Sequence, residues 1–292
     1  MAGLRFMEIK DFELYVLDVS FLSDDKMFQK MMRYVGSDRI EKIEKIKLQA
    51  ERERSLGAGL LLSFAMKKHG VDMTEGMFKV ETGADGKPYL EKLHHDKPYL
   101  DRSQLQFNLS HSGKYAVCAV ADKDIGVDIQ IREQKLSEAF ISRCFSKKES
   151  SRGIDLIDLW SMKESFLKAK GCGLTVAPSR IEVIEETKTG TIEETIEETI
   201  EETIEETIEE TLDEAKTSKM NDTETECNRE DSRKDKKFRM MLDGNDSGYA
   251  CIDYGDSIPG YALCVCTDAT ECEAKLFIVT PAMICDEGCD MR

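Results

Sequence analysis

No apolar run in this 292-residue chain reaches membrane-spanning length. The opening MAGLRFMEIKDFELYVLDVSF carries charges every few residues and lacks the uninterrupted apolar stretch of a secretory signal. A cytoplasmic protein with no membrane partner is expected. The ten cysteines lack both the paired CxxC spacing of a zinc site and the density of a small disulfide scaffold. Reduced thiols are expected, with Cys264 and Cys266 packing in a strand and Cys285 and Cys289 in a tail rather than binding metal. A basic excess is missing as well: the formal charge is −17, which argues against a nucleic-acid partner. Twelve acidic residues and one basic residue fall between Thr191 and Lys216, so a local −11 leaves an ordinary −6 for the rest.

That acidic stretch is a TIEE unit repeated five times. A four-residue repeat turns successive isoleucines about 40° further around a helix, so no single face stays apolar. Residues 187–236 therefore read as a low-complexity insertion between strands, a solvated helix or a disordered loop without chemistry of its own.

Around it the pattern is mixed α and β. FELYVLDVSFL reads as a strand, Asp24 to Gly36 as a helix, and Ser37 to His69 as a mostly helical region whose apolar part, SLGAGLLLSFAMKKHG, is buried. MFKVET and KPYL flank a turn at Asp85-Gly86, and DKPYL at 96–100 repeats the second run. YAVCAVA and GVDIQI, joined by Asp122-Lys123-Asp124, read as a hairpin. A helical stretch from Glu138 through FSKKE and IDLIDLWSMKESFLKAKG stops at Gly171 and Gly173. SRIEVIEE, GYACIDYG and PGYALCVCTD are further strands.

Two constellations carry chemistry. In FNLSHSGKYAVCAVADKDIGVDIQ, His111 stands at the mouth of an apolar strand, and Asp128 lies among Val127, Ile129 and Ile131. A carboxylate there is costly to bury unless it is paired or binds a cation. In WSMKESFLKAKGCGL, helical spacing puts Trp160, Glu164 and Lys168 on one face and Met162, Phe166 and Leu167 towards a core. Glu164 and Lys168 read either as an exposed ion pair four residues apart or as a second metal carboxylate with a lysine for phosphate oxygens. Asp128 and Glu164 supply the hard oxygens magnesium prefers, leaving positions for water and a substrate phosphate.

FNLSHS, GVDIQ, FSKKE and WSMKESFLKAKGCGL stand here in the order and at about the spacing found in 4′-phosphopantetheinyl transferases of the surfactin-activating (Sfp-like) type, which this sequence resembles from residue 8 to about 268, the repeat excluded. The resemblance implies an α/β (α+β) fold of two pseudo-symmetric halves, each an antiparallel sheet packed with helix, with a ligand cleft between them. The halves are residues 1–122 and 123–280, the second holding the insertion. It implies transfer of the 4′-phosphopantetheine arm of coenzyme A to a serine of an acyl- or peptidyl-carrier protein by a magnesium-dependent monomer.

Carried over by position, the resemblance implies that Asp128 and Glu164 ligate magnesium, with Gln130 a third position where many relatives carry a carboxylate and this chain an amide. Lys87, Ser110 and His111 meet coenzyme A phosphates, and Lys168 neutralises the pyrophosphate. Arg39, Lys42, Arg54 and Ser55 hold the 3′-phosphoadenosine end, and Glu149 is an acidic position near the site. The proton acceptor is Glu164, Glu149 or water, and fatty-acid, polyketide and peptide-synthesising carriers all present suitable serines. A rival reading is a non-catalytic acidic scaffold that binds coenzyme A and recruits a partner through its TIEE repeat.

Overall fold

Alternation along FELYVLD puts Phe12, Leu14 and Val16 on one side of a strand and Tyr15 and Leu17 on the other, and all five are buried. The strand is therefore central, with packing on both faces. The computed structural model describes residues 12–74, 78–83, 86–92, 105–186, 236–255, 257–268 and 274–286. The first eleven residues, the Asp85 turn position, the DKPYL copy and the TIEE repeats lie outside the described residues.

The described strands, in chain order, are β1 (Phe12–Asp18), β2 (Phe78–Thr82), β3 (Pro88–Lys92), β4 (Gln106–Ser112), β5 (Tyr115–Ala121), β6 (Ile125–Ile131), β7 (Ile181–Glu185), β8 (Lys236–Leu242), β9 (Asn245–Asp253), β10 (Tyr261–Thr267) and β11 (Ala274–Val279). The helices are α1 (Asp25–Met31), α2 (Ser37–Glu44), α3 (Gln49–Lys68), α4 (Glu138–Cys144), α5 (Lys147–Ser150), α6 (Leu156–Lys170) and α7 (Pro281–Asp286), with short 3-10 turns between some of them.

One sheet has the order β11-β1-β5-β4, the other β6-β10-β9-β8-β7, and β2 and β3 pair with each other. All described pairings are antiparallel except β1 with β11, which is parallel. The fold is thus the expected mixed α/β class, with one parallel pair in the first sheet. Three apolar cores order the layers. Tyr15, Leu17, Cys118 and Val120 pack with Leu56, Leu60, Leu61 and Phe64 of α3. The opposite faces, Leu14, Val16, Val117 and Ala119, meet Val127, Ile129, Leu263 and Val265 of the second sheet. Cys251, Cys264 and Cys266 on the far side of that sheet meet Met162 and Phe166 of α6. The period-2 alternation of each strand sorts its side chains between adjacent cores.

YAVCAVA and GVDIQI do not pair as the hairpin their spacing predicts: β5 pairs with β1 and β4, whereas β6 pairs with β10. The Asp122–Asp124 connection carries the chain from one sheet to the other. The two sheets are joined instead by FNLSHS, whose polar residues two apart face β6. Asn108 Oδ1 accepts from Val127 N, Ser110 Oγ from Ile129 N and Ser112 Oγ from Ile131 N, at 3.1–3.3 Å. Three side chains thus satisfy backbone donors at the edge of the second sheet that no described strand covers.

The long helical stretch resolves into three helices. Ser137 caps α4, Ser146 and Glu149 form a reciprocal capping box on α5, and Asp155 caps α6. α6 stops where expected, at Gly171 with φ +70°. Gly126 lets β6 and α6 touch, because a Cβ there would stand 2.0 Å from the Ser165 carbonyl oxygen. The seven described cysteines are free.

A buried acid anchors β1 to the end of α3. Glu13 Oε2 lies 2.8 Å from His69 Nε2 and accepts from the Tyr15 hydroxyl. Burial raises the Glu13 carboxyl, but His69, Tyr15 and Lys275 more than offset this and hold it below its ordinary 4.5. A depressed folded-state value stabilises the protein above the ordinary value, and the benefit is lost as pH falls through the lowered one. Glu13→Ala is expected to cost about 1–3 kcal/mol for each orphaned partner. Unfolding midpoints measured from pH 7 down to pH 3 should show the gap between wild type and Glu13→Gln closing in acid; a gap independent of pH would contradict the assignment.

Candidate active site

β6 brings Asp128 against α6 because its odd-numbered neighbours, Val127 and Ile129, fill the core between the sheets. Asp128 is fully buried. Its Oδ1 accepts from Lys168 Nζ at 2.7 Å and Ser110 Oγ at 2.9 Å, and its Oδ2 from Gln130 Nε2 at 2.9 Å. Lys168 Nζ also donates to Ser110 Oγ and the Val127 carbonyl, both at 3.2 Å, and lies 3.4 Å from Glu164 Oε1 one turn away on α6. The Ser161 hydroxyl, on the same helix, donates to the Asp128 carbonyl at 3.0 Å.

Two carboxylates therefore share one ammonium. Burial and the Asp128 charge push the Glu164 carboxyl above its ordinary range, against Lys168 and a Trp160 hydrogen bond. Burial works against the Lys168 charge, but Asp128 and Glu164 hold its ammonium above the ordinary lysine value. Glu164 and Lys168 are not an exposed ion pair: both are half-buried, and Asp128, buried beside them, makes the arrangement a triad.

The chemistry of this donor set fits a divalent cation only in part. Asp128, Glu164 and the Gln130 amide offer hard oxygens with excess negative charge, yet among the described residues no group of three or more His, Cys, Asp or Glu side chains could hold a metal ion. Magnesium here would complete its shell with water and substrate oxygens, which is its habit in phosphoryl-transfer sites.

Lys87 apart, the other expected phosphate-contact residues lie on the first sheet and the helices α2 and α3. Desolvation lowers the His111 imidazole; Glu51 opposes this, and Arg54 and Lys168 add to it. Arg54 donates to the Gly113 carbonyl at 3.3 Å and pairs with Glu51, so it stands beside the turn that follows His111. Arg39 and Lys42 form a second cationic pair on α2, both lowered by desolvation, with Arg39 lowering Lys42 further. Ser55 is buried, and its hydroxyl has no hydrogen-bond partner among the described residues.

Two other expected site residues have partners outside the triad. Lys87 Nζ reaches Asp124 Oδ1 and the Ala169 carbonyl, each at 2.8 Å. Glu149 Oε2 receives Lys163 Nζ at 2.9 Å, together with the Ser146 amide and hydroxyl. Lys163, itself fully buried, also donates to the carbonyls of Cys144 and Pro178. This pair fastens α5 to α6. It escaped sequence reading although a signal existed, a lysine among the core-facing residues of α6. Asn108, Ser112, Asp124 and Tyr249 were missed as well; only the polar alternation in FNLSHS announced the first two.

Two family profiles match the chain. Residues 22–123 match the one described as 4′-phosphopantetheinyl transferase, N-terminal, and residues 124–218 the one described as the 4′-phosphopantetheinyl transferase superfamily. A 4′-phosphopantetheinyl transferase of Bacillus subtilis is 33% identical over 156 residues, 50% of this chain and 65% of that protein. The transferase Sfp of Bacillus subtilis strain 168 is 30% identical over 161 residues, 51% of this chain and again 65% of the relative. The transferase HetI of a Nostoc strain is 28% identical over 191 residues, 61% and 76% of the two chains. The match thus spans a little under two thirds of the first two relatives. With both profiles from one family meeting end to end, and with relatives of the Sfp type at about 30% identity, the chain belongs to the 4′-phosphopantetheinyl transferase superfamily.

Proposed function

We propose that the protein transfers the 4′-phosphopantetheine group of coenzyme A to a serine of an apo acyl- or peptidyl-carrier protein, acting as a monomer with magnesium and without a nucleic-acid or membrane partner. The observation that carries this is the triad of buried Asp128 with half-buried Lys168 and Glu164 at the contact of β6 with α6. Membership of the superfamily supports the reaction class, and the names of the relatives support the transferase activity.

In this reading the carrier serine attacks the β-phosphorus of the coenzyme A pyrophosphate, and 3′,5′-ADP leaves. Lys168 meets the phosphoryl oxygens and spreads their developing charge. Glu164, whose carboxyl is already held above its ordinary range, takes the serine proton. Glu149 is less suited to that task because Lys163 and Ser146 occupy its Oε2. Asp128 and Glu164, with Gln130 as a weaker third, would hold magnesium, which when bound supplies Lewis-acid polarisation of phosphoryl oxygens. Ser110, His111 and Lys87 face the coenzyme A phosphates, and Arg39, Lys42, Arg54 and Ser55 the 3′-phosphoadenosine end. The unpaired buried hydroxyl of Ser55 supports that last placement.

The domain reading belongs to the same proposal: halves at 1–122 and 123–280, with a dispensable acidic insertion. The two profile matches, which meet between residues 123 and 124, support the division. The insertion reads as residues 187–236, and Lys236 is also the first residue of β8.

Formation of 3′,5′-ADP from coenzyme A tests the reaction. One equivalent per apo-carrier is expected, abolished by chelation and by a carrier lacking its serine; release that ignores the carrier would sink the reading. Gln130 gives a finer test. Gln130→Glu adds a charge beside Asp128, so the magnesium concentration for half-maximal rate should fall while kcat changes by less than about 3-fold. An unchanged or weaker magnesium response would place residue 130 outside the metal's surroundings.

A further inference from the structure

We infer that Asp124, backed by Tyr249, is the positioning residue that holds Lys87 in the wall of the coenzyme A cleft, an assignment that rests on the transferase reading above. Lys87 lies one residue before β3, on the β2–β3 pair that hydrogen-bonds to no other described strand. Phe78, Val80 and Leu90 pack this hairpin on the first core, and polar contacts tie it further to the rest of the protein. One is Val80 N to Asp38 Oδ2 at 3.2 Å. Another is the Lys87 ammonium, which reaches Asp124 Oδ1 at the start of β6 and the carbonyl of Ala169 near the end of α6, both at 2.8 Å.

The partners are themselves fixed. Tyr249 of β9 donates its hydroxyl to Asp124 Oδ2 at 2.9 Å, so each oxygen of the carboxylate has a donor and the group cannot swing away without losing one. The Ala169 carbonyl belongs to the last turn of α6, where helix carbonyls lack helical partners and the dipole favours a cation. Ala169 also directly follows Lys168. The Asp124 clamp therefore sets the Lys87 charge at the same end of α6 as the lysine of the triad. A lysine stem is flexible, and fixing its ammonium before the ligand arrives removes an ordering cost from binding. Only 12% of the Lys87 side chain is exposed, whereas 45% of Asp124 is, so the aspartate can be changed with little disturbance of the core.

The consequence is a defect in coenzyme A binding rather than in chemistry, and it depends on Lys87. Asp124→Asn should raise the Kd for coenzyme A measured by titration calorimetry, and the KM for coenzyme A in transfer, by about 10-fold, with kcat at saturation within about 2-fold of wild type. Tyr249→Phe should act in the same direction and less. Asp124→Glu should recover part of the affinity. In a Lys87→Met background, Asp124→Asn should add nothing, since the aspartate acts through the lysine. An unchanged Kd in Asp124→Asn, or an equal loss with and without Lys87, overturns the assignment, as does a fall in melting temperature with no change in Kd. Wild-type protein that binds coenzyme A but transfers nothing to any apo-carrier counts against the transferase reading instead, and the calorimetric cycle still decides the role of Asp124.

Discussion

Asp128→Ala is expected to lower transfer by at least about 10³-fold, equivalent to about 4 kcal/mol of transition-state stabilisation. Asp128 is the most enclosed charge of the site and gives both its oxygens to the cluster, receiving Lys168, Ser110 and Gln130. Its loss removes a hard oxygen ligand and frees Lys168 to turn towards Glu164 or solvent. Lys168 is partly exposed, so its ammonium is not stranded and the chain should stay folded. Asp128→Asn keeps the shape and one acceptor oxygen, enough for Lys168 and Ser110, but not the charge, and should lose nearly as much activity with a melting temperature close to wild type. Glu164→Ala should show a comparable loss. The measurement is kcat/KM at saturating magnesium beside a thermal melt. Near-normal turnover in Asp128→Asn would remove this aspartate from the chemistry.

The largest expected loss of stability lies at Lys163. Its ammonium is fully buried and held by Glu149 and the carbonyls of Cys144 and Pro178. Burial lowers its affinity for the proton, and Glu149 pulls it back. Lys163→Met leaves the Glu149 carboxylate enclosed with no counter-charge and should cost about 3–5 kcal/mol, a large part of a typical folding free energy. The same logic makes the double variant Lys163→Met/Glu149→Leu less damaged than either single one, because two apolar groups need no partner. Denaturant unfolding of the three variants checks this. Single variants within about 1 kcal/mol of wild type would mean that water or another group compensates Glu149.

Helices and strands with strong periodicity were legible in advance, down to the stop of α6 at Gly171. The face of α6 was read correctly as well, with Met162, Phe166 and Leu167 inside. What failed was pairing. β5 and β6 are adjacent in sequence and joined by a short polar turn, the local signature of a hairpin, yet tertiary packing assigns them to different sheets. β11 was not foreseen, because its partner β1 lies more than 250 residues away and no local pattern specifies a parallel pairing at that distance. In the site, Asp128 announced itself as a charge in an apolar strand. Lys163 stood among the core-facing residues of α6, but its partner Glu149 could not be read from spacing; Asp124 gave no signal, because a lone aspartate in a polar turn reads as a solvated side chain until its partner is known. Asp124 meets Tyr249 across 125 residues.

The intact mass of apo-carrier proteins after incubation with this protein, coenzyme A and magnesium tests the central claim most directly. Acyl- and peptidyl-carrier substrates from fatty-acid, polyketide and peptide-synthesising systems form the panel. At least one should gain the mass of a single phosphopantetheine group, and the gain should disappear when its acceptor serine is replaced by alanine or when Asp128 is replaced by asparagine. A panel that stays unmodified while the protein binds coenzyme A, or a modification that survives the loss of Asp128, would contradict the assignment of this triad to phosphopantetheine transfer.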